Sequence, residues 1–295
     1  MTVPVPRAHL VERAIEAMAG FSANDRRMAD TAEMPRPVLH PQPAPAARPP
    51  AITMARLQEA GLSFAVDASP RSKIMEELAL IQHQLLRVAE PVAGEPKSSR
   101  RQIMMVTSAR QGEGKSFTSL NLAASIAGTT SLPVVLMDMD GGGSSLSRRL
   151  GVMAERGILG LAADPSMHKD ALLLPTAIER LFFLPHGKLM SGQAGSPNAD
   201  ALAAAVRSVA AALPRHVLIL DTPPALSTSD AQALSAIVGQ VIMVVRAEST
   251  QRDEVEAALD LVEACPALHL LLNRTRLATN DSFGAHGEYG AATHA

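Results

Sequence analysis

Six short apolar runs dominate the C-terminal two-thirds of this 295-residue chain: Ile103–Val106, Val134–Met137, Leu181–Leu184, Val217–Leu220, Val241–Val245 and Leu270–Leu272. They lack the polar alternation of a half-exposed strand, so they suit strands covered on both faces by helices. Between them, Ser116–Ala127, Asn198–Ala212, Ser229–Val238 and Asp253–Ala264 carry helical periodicity. Alternation of this kind over about 175 residues predicts an α/β domain with a doubly wound, mostly parallel sheet. Hydrophobic residues are 47 % of the chain but aromatics only 2 %, with no Trp, so the core must be aliphatic.

The first hundred residues differ in character. Leu10, Val11, Ala14 and Ile15 give a short helical pattern within residues 1–33, too short to be stable alone. Seven of the seventeen residues from Met34 to Pro50 are proline, and residues 34–71 read as a Pro-rich linker. An amphipathic helix is expected over 72–90, with Ile74, Leu78, Ile81, Leu85 and Val88 inward and Glu76, Glu77, Gln82 and Arg87 outward. The domain itself spans 100–277, and the Gly- and Ala-rich stretch 278–295 is expected to be a disordered tail.

Composition excludes several functions. Lys plus Arg (27) and Asp plus Glu (29) nearly balance, so no basic excess exists for binding nucleic acid. No apolar run is long enough for a direct membrane span, and charges interrupt the N-terminus where a signal peptide would need an apolar core. A single cysteine, Cys265, cannot pair internally, which fits a cytoplasmic location.

The chemistry concentrates at strand ends. After the first run comes Ser108-Ala109-Arg110-Gln111-Gly112-Glu113-Gly114-Lys115-Ser116-Phe117. Glycines let backbone N–H groups approach phosphates closely, and the following helix adds its positive end. Lys115 would reach the terminal phosphates and the Ser116 hydroxyl would hold Mg²⁺. Asp138 and Asp140 follow the second run, and Asp221-Thr222-Pro223-Pro224 follows the fourth, where a parallel sheet presents its ligand crevice. An Asp after a strand is more often a helix cap, but carboxylates at two strand ends beside a P-loop favour a metal role.

These three segments resemble the Walker A, A′ and B motifs of the bacterial tyrosine kinases (BY-kinases) of capsular and exopolysaccharide systems. Leu10-Val11-Glu12-Arg13-Ala14-Ile15-Glu16, Ala55-Arg56-Leu57 with Gly61-Leu62, Glu76-Glu77, Gly239-Gln240-Val241 and Leu272-Asn273-Arg274 resemble the exosortase-associated autokinases among them. The resemblance implies a P-loop NTPase fold of the MinD/ParA type and a cytoplasmic tyrosine autokinase using ATP and Mg²⁺. Nucleotide would be bound by Gln111, Gly112, Glu113, Gly114, Lys115, Ser116, Phe117 and Asn273, the last at the adenine. Lys115, Asp138 and Asp140 would be catalytic, Ser116, Asp138 and Asp221 would serve the metal, and Tyr289 would be the phosphoacceptor. The implied partner is a membrane chain-length-determinant protein (a polysaccharide co-polymerase), which would hold the kinase peripherally at the inner membrane and control polymer export. Self-assembly into a homo-oligomer is left open.

The sequence departs from that family in four places. Ala109 replaces the first glycine of the loop. Gly141-Gly142-Gly143-Ser144 stands where an Arg and a Pro usually follow Asp140, which removes a cation and loosens the loop. Ala79 and Gln82 stand where arginines would link subunits. One tyrosine, Tyr289, replaces a cluster. Two alternatives follow: an ATP-binding or hydrolysing regulatory adaptor without kinase activity, and a partition-type ATPase, which the charge balance disfavours. Arg110 falls where related ATPases place a lysine that crosses to a partner's nucleotide, although an exposed loop arginine explains it more simply.

Overall fold

The computed structural model describes residues 51–63, 73–89, 99–153, 155–189 and 197–275. The helical pattern before residue 34, the proline run to Pro50 and the tail with Tyr289 lie outside the described residues. The described residues belong to one compact unit that begins at Arg48.

Seven strands form one sheet: β1 (Ile103–Ser108), β2 (Val134–Asp138), β3 (Leu174–Pro175), β4 (Leu181–Leu184), β5 (Val217–Asp221), β6 (Gln240–Arg246) and β7 (Leu268–Asn273). Their order is β3-β4-β2-β5-β1-β6-β7, and only the β3–β4 pair is antiparallel. All six apolar runs are strands, and the mostly parallel α/β fold is as expected. Side chains alternate between two cores. Ile103 and Met105 of β1 enter one, and Met104 and Val106 enter the other. The first core lies against α5 (Ile158–Ala163), α6 (Ala199–Ala212), α7 (Asp230–Ser235) and α8 (Arg252–Asp260). The second lies against α1 (Met54–Glu59), α2 (Lys73–Ala89), α3 (Lys115–Thr129) and α4 (Leu146–Arg149). Ser116–Ala127 and Asn198–Ala212 match α3 and α6, with Asn198 the N-cap of α6, its side chain accepting from Ala201 N.

Three local expectations change. First, part of the stretch expected as linker, residues 52–63, belongs to the domain. Ile52 and Leu57 are essentially fully buried, and Ile52 bridges to Thr176 beside β3. Thr53 caps α1, which a proline-focused reading of the segment conceals. Second, α2 is rotated. Its buried seam is Leu78, Gln82 and Leu85, whereas Ile74 and Val88 are exposed. Gln82 faces inward because α3 satisfies its amide: Ser125 Oγ donates to Oε1 at 2.6 Å, and Nε2 donates to Thr129 Oγ1 at 2.8 Å. Third, β7 is an edge strand covered on one face. Leu268, Leu270 and Leu272 are exposed, and Leu271 packs inward.

Because Leu57 is only 1 % exposed, Leu57→Ala should cost about 2–5 kcal/mol, read as a lower urea midpoint at unchanged m-value. An unchanged midpoint would return α1 to the status of a linker.

Candidate functional site

The loop after β1 is built by its own side chains. Ser108 Oγ donates to the Arg110 carbonyl at 2.6 Å. The Glu113 carboxylate, itself buried, folds back to accept from Arg110 N at 2.8 Å and from the Thr250 hydroxyl. Gly112 (φ +84°) and Gly114 (φ +106°) occupy the left-handed region that a side chain disfavours. At Gly114 a Cβ would also collide with the Asn273 amide, whose Nδ2 donates to the Glu113 carbonyl at 2.8 Å. Asn273 therefore braces the loop, and Glu113 turns its carboxylate into the protein, leaving the loop's N–H groups for a ligand. Lys115 and Ser116 occupy the first turn of α3, whose fifteen residues give a full N-terminal dipole.

The sheet register does the rest. Asp138 pairs with Asp221 across the β2–β5 ladder, so both carboxylates end adjacent strands at one level. Both residues are completely buried. Asp138 accepts from Asp140 N at 3.0 Å and Ser147 N at 2.6 Å. Burial, with the neighbouring Asp221 charge adding to it, pushes Asp138 up to about 7. Burial pushes Asp221 up to about 6, against hydrogen bonds from Ser116 and Ser119 and the Lys115 charge. Ser119 Oγ lies 3.1 Å from Asp221 Oδ1, while Asp221 Oδ2 is buried with no hydrogen-bond partner. Burial also lowers the Lys115 pKa, opposed by Asp221, Asp140 and Glu113.

An orphaned carboxylate oxygen beside a serine hydroxyl is a hard-oxygen donor set suited to Mg²⁺. No cluster of three or more His, Cys, Asp or Glu fit for a metal occurs among the described residues.

Of the glycines after Asp140, Gly141 and Gly142 are packed, while Gly143 faces open space. Asp140 Oδ1 accepts from Gly142 N at 2.8 Å, and Gly142 O accepts from Ser145 N at 3.2 Å. A Cβ at Gly141 would stand 2.6 Å from His186 Nε2, and one at Gly142 would stand 2.8 Å from Asp140 Oδ1. The loss of a side chain here is thus tied to the imidazole that fills its place. His186 follows β4, its backbone N–H donates to Ser147 Oγ at 2.9 Å, and burial lowers its pKa.

Together these parts wall a cleft of about 630 Å³. Gln111, Gly112, Lys115, Ser116, Phe117 and Asp140 line one side. Leu78 and Ile81 of α2, with Asn273 at the end of β7 and Arg274 just beyond it, line the other. Arg110 turns away to pair with Glu254 at 2.6 Å, as an exposed loop arginine would. The sequence reading missed Ser119, Ser147, Thr250 and His186. Ser119 was accessible, because it lies three residues after Ser116 on the same helix face. So was His186, which sits at a strand end like the two aspartates. Thr250 and Ser147 carry no local signal.

A carboxylate whose pKa rises on folding stabilises the fold below its ordinary value near 3.8, and that stability is lost as pH climbs through the folded value. In chelator without nucleotide, Asp138→Asn should therefore gain stability relative to the parent protein as pH rises from about 4 to about 7. Urea midpoints across that range check this. A difference independent of pH would mean that Asp138 is not held protonated by burial.

Comparison with known proteins agrees with this geometry. Residues 99–270 match the ParA family profile described as the NUBPL iron-transfer P-loop NTPases. The tyrosine-protein kinase CpsD of Streptococcus agalactiae is 31 % identical over 197 residues, covering 64 % of this chain and 80 % of the relative. Two solved structures share the fold. The chimerical protein CapA2B2 has a TM-score of 0.57 at 24 % identity, covering 77 % of this chain and 94 % of its own. The kinase domain of Escherichia coli tyrosine kinase ETK has 0.54 at 21 %, covering 72 % and 81 %. The chain belongs to the ParA-type P-loop NTPases and, among them, to the bacterial tyrosine-protein kinases.

Proposed function

We propose that this chain is an ATP-dependent tyrosine autokinase that controls exopolysaccharide polymerisation or export through a membrane chain-length-determinant partner. The observation that carries the reading is the in-register burial of Asp138 and Asp221 against the first turn of α3. A nucleotide entering the cleft would meet the N–H groups of Gln111–Ser116 with its phosphates, and the Lys115 ammonium with the terminal ones. Ser116 and Asp221, with Asp138 behind them, would hold Mg²⁺, whose chemistry is to neutralise the β- and γ-phosphate oxygens.

Geometry supports different roles for Asp138 and Asp140. Both oxygens of Asp138 already accept backbone N–H groups and the residue is sealed from solvent, so it suits the metal shell. Asp140 lines the cleft with only Oδ1 accepting a backbone N–H, that of Gly142, so it suits the attacking hydroxyl. There it would take the tyrosine proton as the oxygen bonds to the γ-phosphorus and the bond to ADP breaks. Asn273 would then meet the adenine only through groups left over from bracing Glu113.

Among the described residues no helix is long and apolar enough to cross a membrane, which is why the reading routes membrane contact through a partner. The adaptor alternative, in which ATP binding alone gates the partner, draws support from the glycines after Asp140 and from Ala79 and Gln82 in α2.

Labelled ATP separates the two. The parent protein with its partner should incorporate label, Tyr289→Phe should incorporate none, and Lys115→Met should lose at least about 10²-fold in rate. Nucleotide binding without label on tyrosine would sink the kinase reading and leave the adaptor.

A further inference from the structure

We infer that Arg149 supplies a cationic side chain to the phosphate site beside Lys115, a charge that the glycine loop after Asp140 does not carry. This rests on the nucleotide-site reading above.

The phosphates of a nucleoside triphosphate concentrate charge that Lys115 alone matches poorly. The loop after Asp140 carries no cation of its own, and at two of its positions a side chain would crowd a neighbour. A side chain at 141 would meet the His186 imidazole, and one at 142 would meet the Asp140 carboxylate. The chain instead carries the charge on the next helix. Ser145 begins α4, and Leu146 and Leu150, both fully buried, pin its inner face. Arg149 falls on the neighbouring face and lines the cleft with Lys115, Ser116, Phe117, Asp140 and Ser144.

The N-terminal segment holds it there. Arg56 Nη1 donates to the Leu150 carbonyl at 2.8 Å, fixing the end of α4. Asn121 of α3 donates to the Gly61 carbonyl at 2.9 Å and accepts from Ser63 N at 2.7 Å, fixing the α1 loop to the P-loop helix. Arg149 Nη2 lies only 3.1 Å from where a Cβ of Gly61 would stand, so Gly61 leaves the guanidinium its space. Among the described residues, no carboxylate pairs with Arg149. Its planar fork is therefore available to a phosphate, which it matches with two donors at once.

The inference makes a distinction that a structural role would not. Arg149 should sense the γ-phosphate, whereas the P-loop grips the others. In calorimetry with Mg²⁺, Arg149→Ala should bind a non-hydrolysable ATP analogue about 10-fold or more weakly, yet bind ADP within about two-fold of the parent. Arg149→Lys should fall between, since it keeps the charge and loses the fork. Arg149→Gln keeps the length of the side chain and gives the same test should the alanine variant unfold. Equal losses for both nucleotides, or none for either, would overturn the assignment. A parent protein that binds neither nucleotide would overturn this inference together with the nucleotide site itself.

Discussion

Two carboxylates buried side by side are the constraint on which the site depends. Parallel pairing of β2 with β5 sets Asp138 level with Asp221, and nothing in sheet formation alone would reward that. The surroundings answer it in three ways. Backbone N–H groups of Asp140 and Ser147 fix Asp138, serine hydroxyls of α3 face Asp221, and the Lys115 charge lies near. One oxygen of Asp221 stays unsatisfied. A cation binding at that oxygen would stabilise the fold by linkage. The Ser147 N–H ties the helix after β2 to Asp138, and Ser119 ties the helix after β1 to Asp221, so both cleft walls are anchored on the same pair of strands.

The rest of the cleft comes from chain segments outside the α/β repeat. Asn121 and Arg56 join α1 to α3 and α4. Gln82 joins α2 to α3, and Gln240 of β6 donates to the Leu85 carbonyl of α2 at 3.0 Å. These are polar contacts between elements far apart in sequence, and each fixes orientation more than it adds stability. The site thus depends on residues before the P-loop as well as after it.

What was legible in the sequence follows from the range of the interactions. The strands were legible because continuous apolar runs report burial directly. The P-loop and its carboxylates were legible because glycine, lysine and strand-end aspartates act where they stand. The rotation of α2 was not, because Gln82 reads as polar until Ser125 and Thr129 face it. Nor was the meaning of Gly141 and Gly142, since the group that excludes a side chain at 141 is His186, brought near by β4. Periodicity also overstated the sheet's burial at β7, because a run of leucines looks the same on an edge strand as on a central one.

That edge bears on the one tyrosine. β7 ends at Asn273, whose side chain braces the P-loop and whose neighbour Arg274 lines the cleft, so the chain leaves the fold at the wall of the nucleotide site. Sixteen residues then separate Asn273 from Tyr289, a span of up to about 50 Å, against a domain radius of gyration of roughly 16 Å. On the proposed function, a flexible tether of that length would give an effective concentration on the order of millimolar. Proximity would then not limit phosphorylation, and control would lie in whether the site is assembled and charged. With Tyr289 as the acceptor there would also be nothing to titrate, since a single phosphate adds about two negative charges in one step. A graded output would have to come from the fraction of molecules marked, set by the site's occupancy, and not from the number of marks on each.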